Sequence, residues 1–113
     1  MDEQSEITVL QLPKFKIEAI AIIASDGIEG VAAYLAEQPE AGDVIPGAGG
    51  IRKLRWAAKG KGKRGGARII YTYVTVSARV YLLRCYAKNV KTDLTPAETK
   101  ELKRLANYLK GVH

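Results

Sequence analysis

The sequence is poor in the residues on which much small-protein chemistry relies. It contains one histidine, His113, and one cysteine, Cys85. A lone thiol closes no internal disulfide, and no Cys/His cluster has metal-ligand spacing, so a reducing compartment and a site without metal or cofactor are expected. Long apolar runs are also missing. The longest, Ala19 to Ala24, falls far short of the roughly 20 residues that span a bilayer. The acidic opening MDEQSEITVL lacks the basic region of a secretory signal. No membrane association and a cytoplasmic location are therefore expected.

The most localised absence is of acid. From Val44 to Thr92 there is no Asp or Glu, yet there are twelve Lys and Arg. The 43 residues before this segment hold nine acids and two bases, a net −7, and the residues after it three and four, a net +1. The overall charge of +6 thus conceals a central block of +12. Such a block repels itself unless an anion compensates it, which points to a polyanionic partner.

The chain has 113 residues, one domain's worth (1–113), enough to bury roughly two-thirds of its unfolded surface around one core. Ile7, Val9 and Leu10 suggest a short strand ending before Pro13. Phe15, Ala19, Ile22 and Ile23 then repeat at helical spacing over about 14–24. Asp26 and Glu29 have the spacing of a capping box, opening a second helix that Pro39 ends. From Ile51 the period becomes two: Leu54 and Trp56 point to a core while Lys53 and Arg55 share the other face. The β-branched and aromatic runs 67–76 and 79–87 read as a hairpin about Ser77 and Ala78. Thr95, Pro96 and Glu98 start a last helix whose stripe is Leu102, Leu105, Ala106 and Leu109, and Gly111 ends it. The expected class is α+β, an antiparallel sheet of about four strands with two N-terminal helices and one C-terminal helix.

Candidate functional residues lie in the basic block. Lys53 and Arg55, about 7 Å apart on one strand face, suit adjacent phosphate oxygens; the alternative is a solvated polar face. Arg68 and Arg84 come from the paired strands. The loop KGKGKRGG, with Lys59, Lys61, Lys63 and Arg64, suits salt-sensitive contact with a phosphate backbone, its glycines letting it adapt; the alternative is a hairpin tip without a role. Gly60, Gly62 and Gly65 have dinucleotide-fingerprint spacing but lie between strands and open no helix, so that reading is discarded. RNA cleavage without histidine is chemically feasible. Arg and Lys stabilise charge on a phosphate attacked by its own 2′-hydroxyl, and a Lys can serve as base or acid. Tyr71, Tyr73 and Tyr86 are candidates for stacking or proton transfer, with a core or rim role as the alternative. Cys85 and Trp56 read as core residues.

The run GDVIPGAGGIRKLRWAAKGKGKRGGARIIYTY, then VYLLRCYAKN, and the close DLTPAETKELKRLA resemble the RelE/HigB-like toxins of bacterial toxin–antitoxin systems over about residues 39–107. The resemblance implies a RelE-like α+β fold and a metal-independent endoribonuclease that enters the ribosomal A site and cuts mRNA by 2′-hydroxyl attack. The implied partners are ribosome, mRNA and a cognate antitoxin, either acidic or with a helix-turn-helix domain. It assigns Lys53 and Arg55 to paired cationic positions, Arg68 to the phosphate-stabilising arginine and Lys88 to a basic residue at the end of the last strand. Arg84 and Lys91 join the loop cations as RNA-binding candidates. Asn89 stands where some relatives have arginine, and the family's C-terminal tyrosine or histidine proton donor has no counterpart, which leaves Lys53 and Lys88 as candidates for the general acid. Two other functions stay open at this stage: a ParE-like inhibitor of DNA gyrase, and an RNA-binding module without catalysis.

Overall fold

The computed structural model describes residues 6–59, 66–91 and 93–111. In chain order these form β1 (Thr8–Gln11), α1 (Pro13–Ile22), α2 (Ala24–Glu37), β2 (Asp43–Val44), β3 (Ile51–Trp56), β4 (Ala67–Val74), β5 (Arg79–Ala87) and α3 (Pro96–Leu109). One sheet of order β1-β5-β4-β3-β2 holds all five strands. The α+β class and the three helices are as expected, but the sheet is mixed rather than antiparallel. It gains the two-residue β2, and β1 pairs parallel to β5, Thr8 opposite Arg79 through Gln11 opposite Leu82.

The sheet has a core on each face. Phe15 and Ala19 of α1 and Val31 and Leu35 of α2 pack with Leu54, Ile69, Tyr71, Leu82 and Cys85. On the other face Leu102 and Ala106 of α3 meet Ile51, Ile70, Leu83 and Tyr86. Burying Leu102 there contributes on the order of 2 kcal/mol. Because β4 lies between two helical layers, seven of its eight residues are buried, which explains its near-continuous apolar run. No helix among the described residues is long and apolar enough to cross a membrane.

Local chemistry decides the joints. Pro13 occupies the first turn of α1, and Pro96 that of α3. Thr95 and Glu98 close the expected capping box: Thr95 Oγ1 accepts from the Glu98 amide at 3.1 Å while a Glu98 carboxylate oxygen accepts from the Thr95 amide at 2.8 Å. The box expected at Asp26 does not form. α2 begins two residues earlier, after a sharp break from α1 in which Ala24 takes φ 65°. Asp26 instead accepts the neighbouring Gly27 amide at 3.0 Å. The β4–β5 connection is also longer than a two-residue turn. It is a 3₁₀ turn over Thr75–Ser77 closed by Ala78 at φ 55°, so β4 ends at Val74 rather than 76. The α2–β2 loop is pinned by Tyr71, whose hydroxyl donates to Pro39 O at 2.9 Å and accepts from the Gly42 amide at 2.8 Å. A Cβ at Gly42 would stand 2.8 Å from the Tyr71 ring, so only glycine fits.

Candidate functional site

The α3 face of the sheet carries a row of polar side chains that the strand register sets side by side. Arg55 of β3 is directly opposite Arg68 of β4, which is directly opposite Tyr86 of β5. Paired residues share a face with Cβ atoms about 4.5–5.5 Å apart. The next row is Lys53, Ile70 and Arg84. Leu54, Ile69 and Cys85, one residue out of phase, fill the opposite core, so the alternation read from IRKLRW holds.

Exposure divides these residues. Arg55 stands in solvent, whereas Arg68 is only 8% exposed and donates to the carbonyl of Ala67 at 3.2 Å. Like charges directly opposite on a ladder are destabilising unless other groups compensate them. Lys53 donates to Asp93 at 2.9 Å. That contact frames a cleft of about 170 Å³ lined by Ile45, Lys53, Tyr86, Asp93, Leu94 and Thr99. Tyr86 is buried in its wall. Burial, reinforced by Asp93 and opposed by Arg68, raises its hydroxyl above the ordinary tyrosine value, which keeps the proton on the oxygen at neutral pH.

Other cations named from the sequence are held in ion pairs. Arg84 donates to both carboxylate oxygens of Glu18 at 2.7–3.1 Å and lies 3.7 Å from Glu98. The Glu18 hydrogen bond is the main cause of its raised pKa. Lys91 donates to Glu98 at 2.6 and 2.7 Å with its ammonium 5.3 Å from the centre of the Tyr86 ring. Glu98, held by Lys91 and by the Thr95 amide, is depressed to about 2. Part of the central block's charge is therefore compensated within the molecule and not left to a polyanionic partner. Glu18, Asp93 and Glu98 come from outside the basic block, and the fold carries them to Arg84, Lys53 and Lys91. Arg52 is likewise committed to backbone, donating to the carbonyls of Glu40 and Gly42 at 3.0 and 2.8 Å.

Glu18 has a second task that pattern reading missed. β1 covers β5 only as far as Leu82, and beyond it the Cys85 amide donates to Glu18 at 2.9 Å. A carboxylate thus finishes the open strand edge. Cys85 is buried, as expected, and burial pushes its thiol up to about 12. Trp56 is partly buried against the core, its ring centre 5.8 Å from that of Tyr34.

Lys88 lies in the turn after β5, exposed, where its amide donates to Gly66 O at 3.0 Å. That bond sets it beside the strand end that carries Arg68. Lys59 is exposed at the end of the loop, while Lys61, Lys63 and Arg64 lie outside the described residues. The structure thus gathers Lys53, Arg55 and Arg68 on one face with Lys88 at its margin, and adds Tyr86 and Asp93. Tyr86 was among the sequence candidates. Asp93 was hidden because its contact with Lys53 joins residues forty apart.

The register thus sets two arginines side by side on the sheet face, next to a cleft whose lining offers a hydroxyl, an ammonium and a carboxylate. A protein-family model described as the RelE toxin of the RelE / RelB toxin-antitoxin system matches residues 36–113. The matched stretch includes β2 to α3 and every residue of this cationic face.

Proposed function

The chain belongs to the RelE toxin family and is a toxin of a toxin–antitoxin system with a cognate antitoxin as partner; from that premise we propose that it is an endoribonuclease that inhibits translation by cutting mRNA in the ribosomal A site. The observation that carries the proposal is the register pairing of Arg55 with buried Arg68. A phosphate that met both guanidiniums would receive charge-assisted hydrogen bonds from two neighbouring strands at once.

In the proposed reaction the 2′-oxygen of one nucleotide attacks its own 3′-phosphorus. The bond from phosphorus to the 5′-oxygen of the next nucleotide breaks, leaving a 2′,3′-cyclic phosphate and a 5′-hydroxyl. Arg68 and Arg55 stabilise the charge that builds on the non-bridging oxygens. Asp93, the only carboxylate lining the cleft among the described residues, takes the 2′-hydroxyl proton. The Lys53 ammonium, already hydrogen-bonded to Asp93, gives a proton to the leaving oxygen, and Tyr86 donates to or stacks on the substrate beside it. Lys88 and Lys59 add contacts to the RNA backbone at the margin.

Expression of the protein without its antitoxin should arrest growth and cut translated messages. Arg68→Ala should slow cleavage by roughly 10²–10³-fold, as for loss of one transition-state donor. Arg68→Lys should keep salt-dependent RNA affinity yet remain slow, because an ammonium cannot reproduce a bidentate phosphate contact. Growth arrest with intact messages would refute the nuclease proposal, and accompanying DNA damage would point to gyrase.

A further inference from the structure

α3 has an opening at each end. The cleft containing Lys53 and Asp93 lies at its first turn, and a second, of about 340 Å³, lies at its last. The second is formed by Val76 in the β4–β5 connection, Arg79 and Tyr81 of β5, and Tyr108 and Lys110 of the helix end. None of its described lining residues is acidic. Val76 is 88% and Tyr108 61% exposed, so the rim offers apolar and aromatic surface to solvent. Arg79 donates to the Tyr81 hydroxyl at 3.4 Å, and Lys110 donates to Gly49 O at 2.6 Å.

We propose that this cleft is a second subsite for single-stranded RNA, in which a base stacks on Tyr108 and the adjoining phosphate meets Arg79. The idea rests on RNA being the substrate class, as proposed above. An exposed tyrosine beside an arginine, with no acidic side chain among the described lining residues, suits a nucleotide better than an acidic peptide. Stacking rewards any base, and the guanidinium takes the phosphate. The carboxyl end of α3 carries negative potential, so a phosphate there depends on Arg79 and Lys110. Spacing agrees with one strand visiting both openings. The fourteen residues of α3 span about 21 Å, the length of about six stacked nucleotides.

The test is fluorescence anisotropy with a 2′-O-methyl octanucleotide, which lacks the attacking hydroxyl and stays whole. Tyr108→Ala should weaken binding about five- to tenfold while Tyr108→Phe stays within about twofold. Arg79→Ala should weaken it and reduce the slope of log affinity against log salt by about 0.7. Lys14→Ala, on α1 across the sheet, supplies the charge-matched comparison and should leave that slope in place. The proposal fails if Tyr108→Ala binds within twofold of the unaltered protein, or if Arg79→Ala behaves like Lys14→Ala. It fails equally if both variants keep the probe but lose the antitoxin, which would make the cleft a protein dock. The probe needs no chemistry, so weakened binding in Tyr108→Ala alongside uncut cellular messages would retain this subsite and refute the nuclease. Cut messages with an indifferent probe would do the reverse.

Discussion

Replacing Arg55 by glutamine should make the protein more stable and less active. Glutamine keeps most of the side-chain stem and removes the charge that faces Arg68 across the ladder. Two unit charges about 7 Å apart repel by about 0.6 kcal/mol in water and about 2.4 kcal/mol at an effective dielectric of 20. Arg55 is exposed, so the lower figure governs, and a gain of about 0.5 kcal/mol is expected. For 113 residues the unfolding entropy is roughly 0.24 kcal/mol/K, which converts that gain to a rise of about 2 °C in Tm. Thermal melts followed by circular dichroism at low ionic strength would show it. In 1 M salt, where the screening length falls to about 3 Å, the two proteins should melt together. Cleavage should fall in the same variant. An unchanged or lower Tm for Arg55→Gln at low salt would refute the claim that Arg55 and Arg68 repel each other across the ladder.

Glu98 ties Lys91 and Arg84 to the start of α3, and its folded pKa of about 2 lies below the ordinary glutamate value of 4.5. A depressed carboxylate contributes stability that is complete above its unfolded pKa and lost as pH falls toward the folded one. Acid melts from pH 6 to 2 should therefore show a decline between about pH 5 and 2 that Glu98→Gln flattens, the variant starting less stable at neutral pH. Thr72 is fully buried on β4 and its hydroxyl has no hydrogen-bond partner among the described residues. Thr72→Val, nearly the same shape, should therefore be neutral or stabilising by about 1 kcal/mol in urea denaturation; a clear loss would show that the hydroxyl has a role.

What could be read from the chain followed the range of the interaction. The α3 capping box is a matter of four consecutive residues, and Thr95, Pro96 and Glu98 announced it. Lys53 and Arg55 could be placed on one face because alternation within a strand is local. β1 illustrates the limit: its pairing with β5 joins residues about seventy apart, and nothing in TVLQ specifies a parallel neighbour. Segment-wise charge counting failed for the same reason. It showed the basic block correctly but could not show that Glu18 and Glu98 return to Arg84 and Lys91. Asp26 misled because its spacing to Glu29 was right while the backbone had already turned at Ala24. The pairing of Arg55 with Arg68, on which the site depends, required the register, and the register is fixed by two cores acting on opposite faces.

The position of β5 between β1 and β4 sets the order in which the molecule can be assembled. The first strand made has no ladder to join until the last strand has left the ribosome, because the parallel partner of Thr8 is Arg79. Tyr86 belongs to that last strand, and Asp93 emerges later still. A partly synthesised chain can form the helical hairpin and the β3–β4 pair, but it has neither the closed sheet nor the complete cleft. Slow, long-range closure of this kind is usually a folding burden. Here it delays the assembled site until β5 and the residues that follow it have been made.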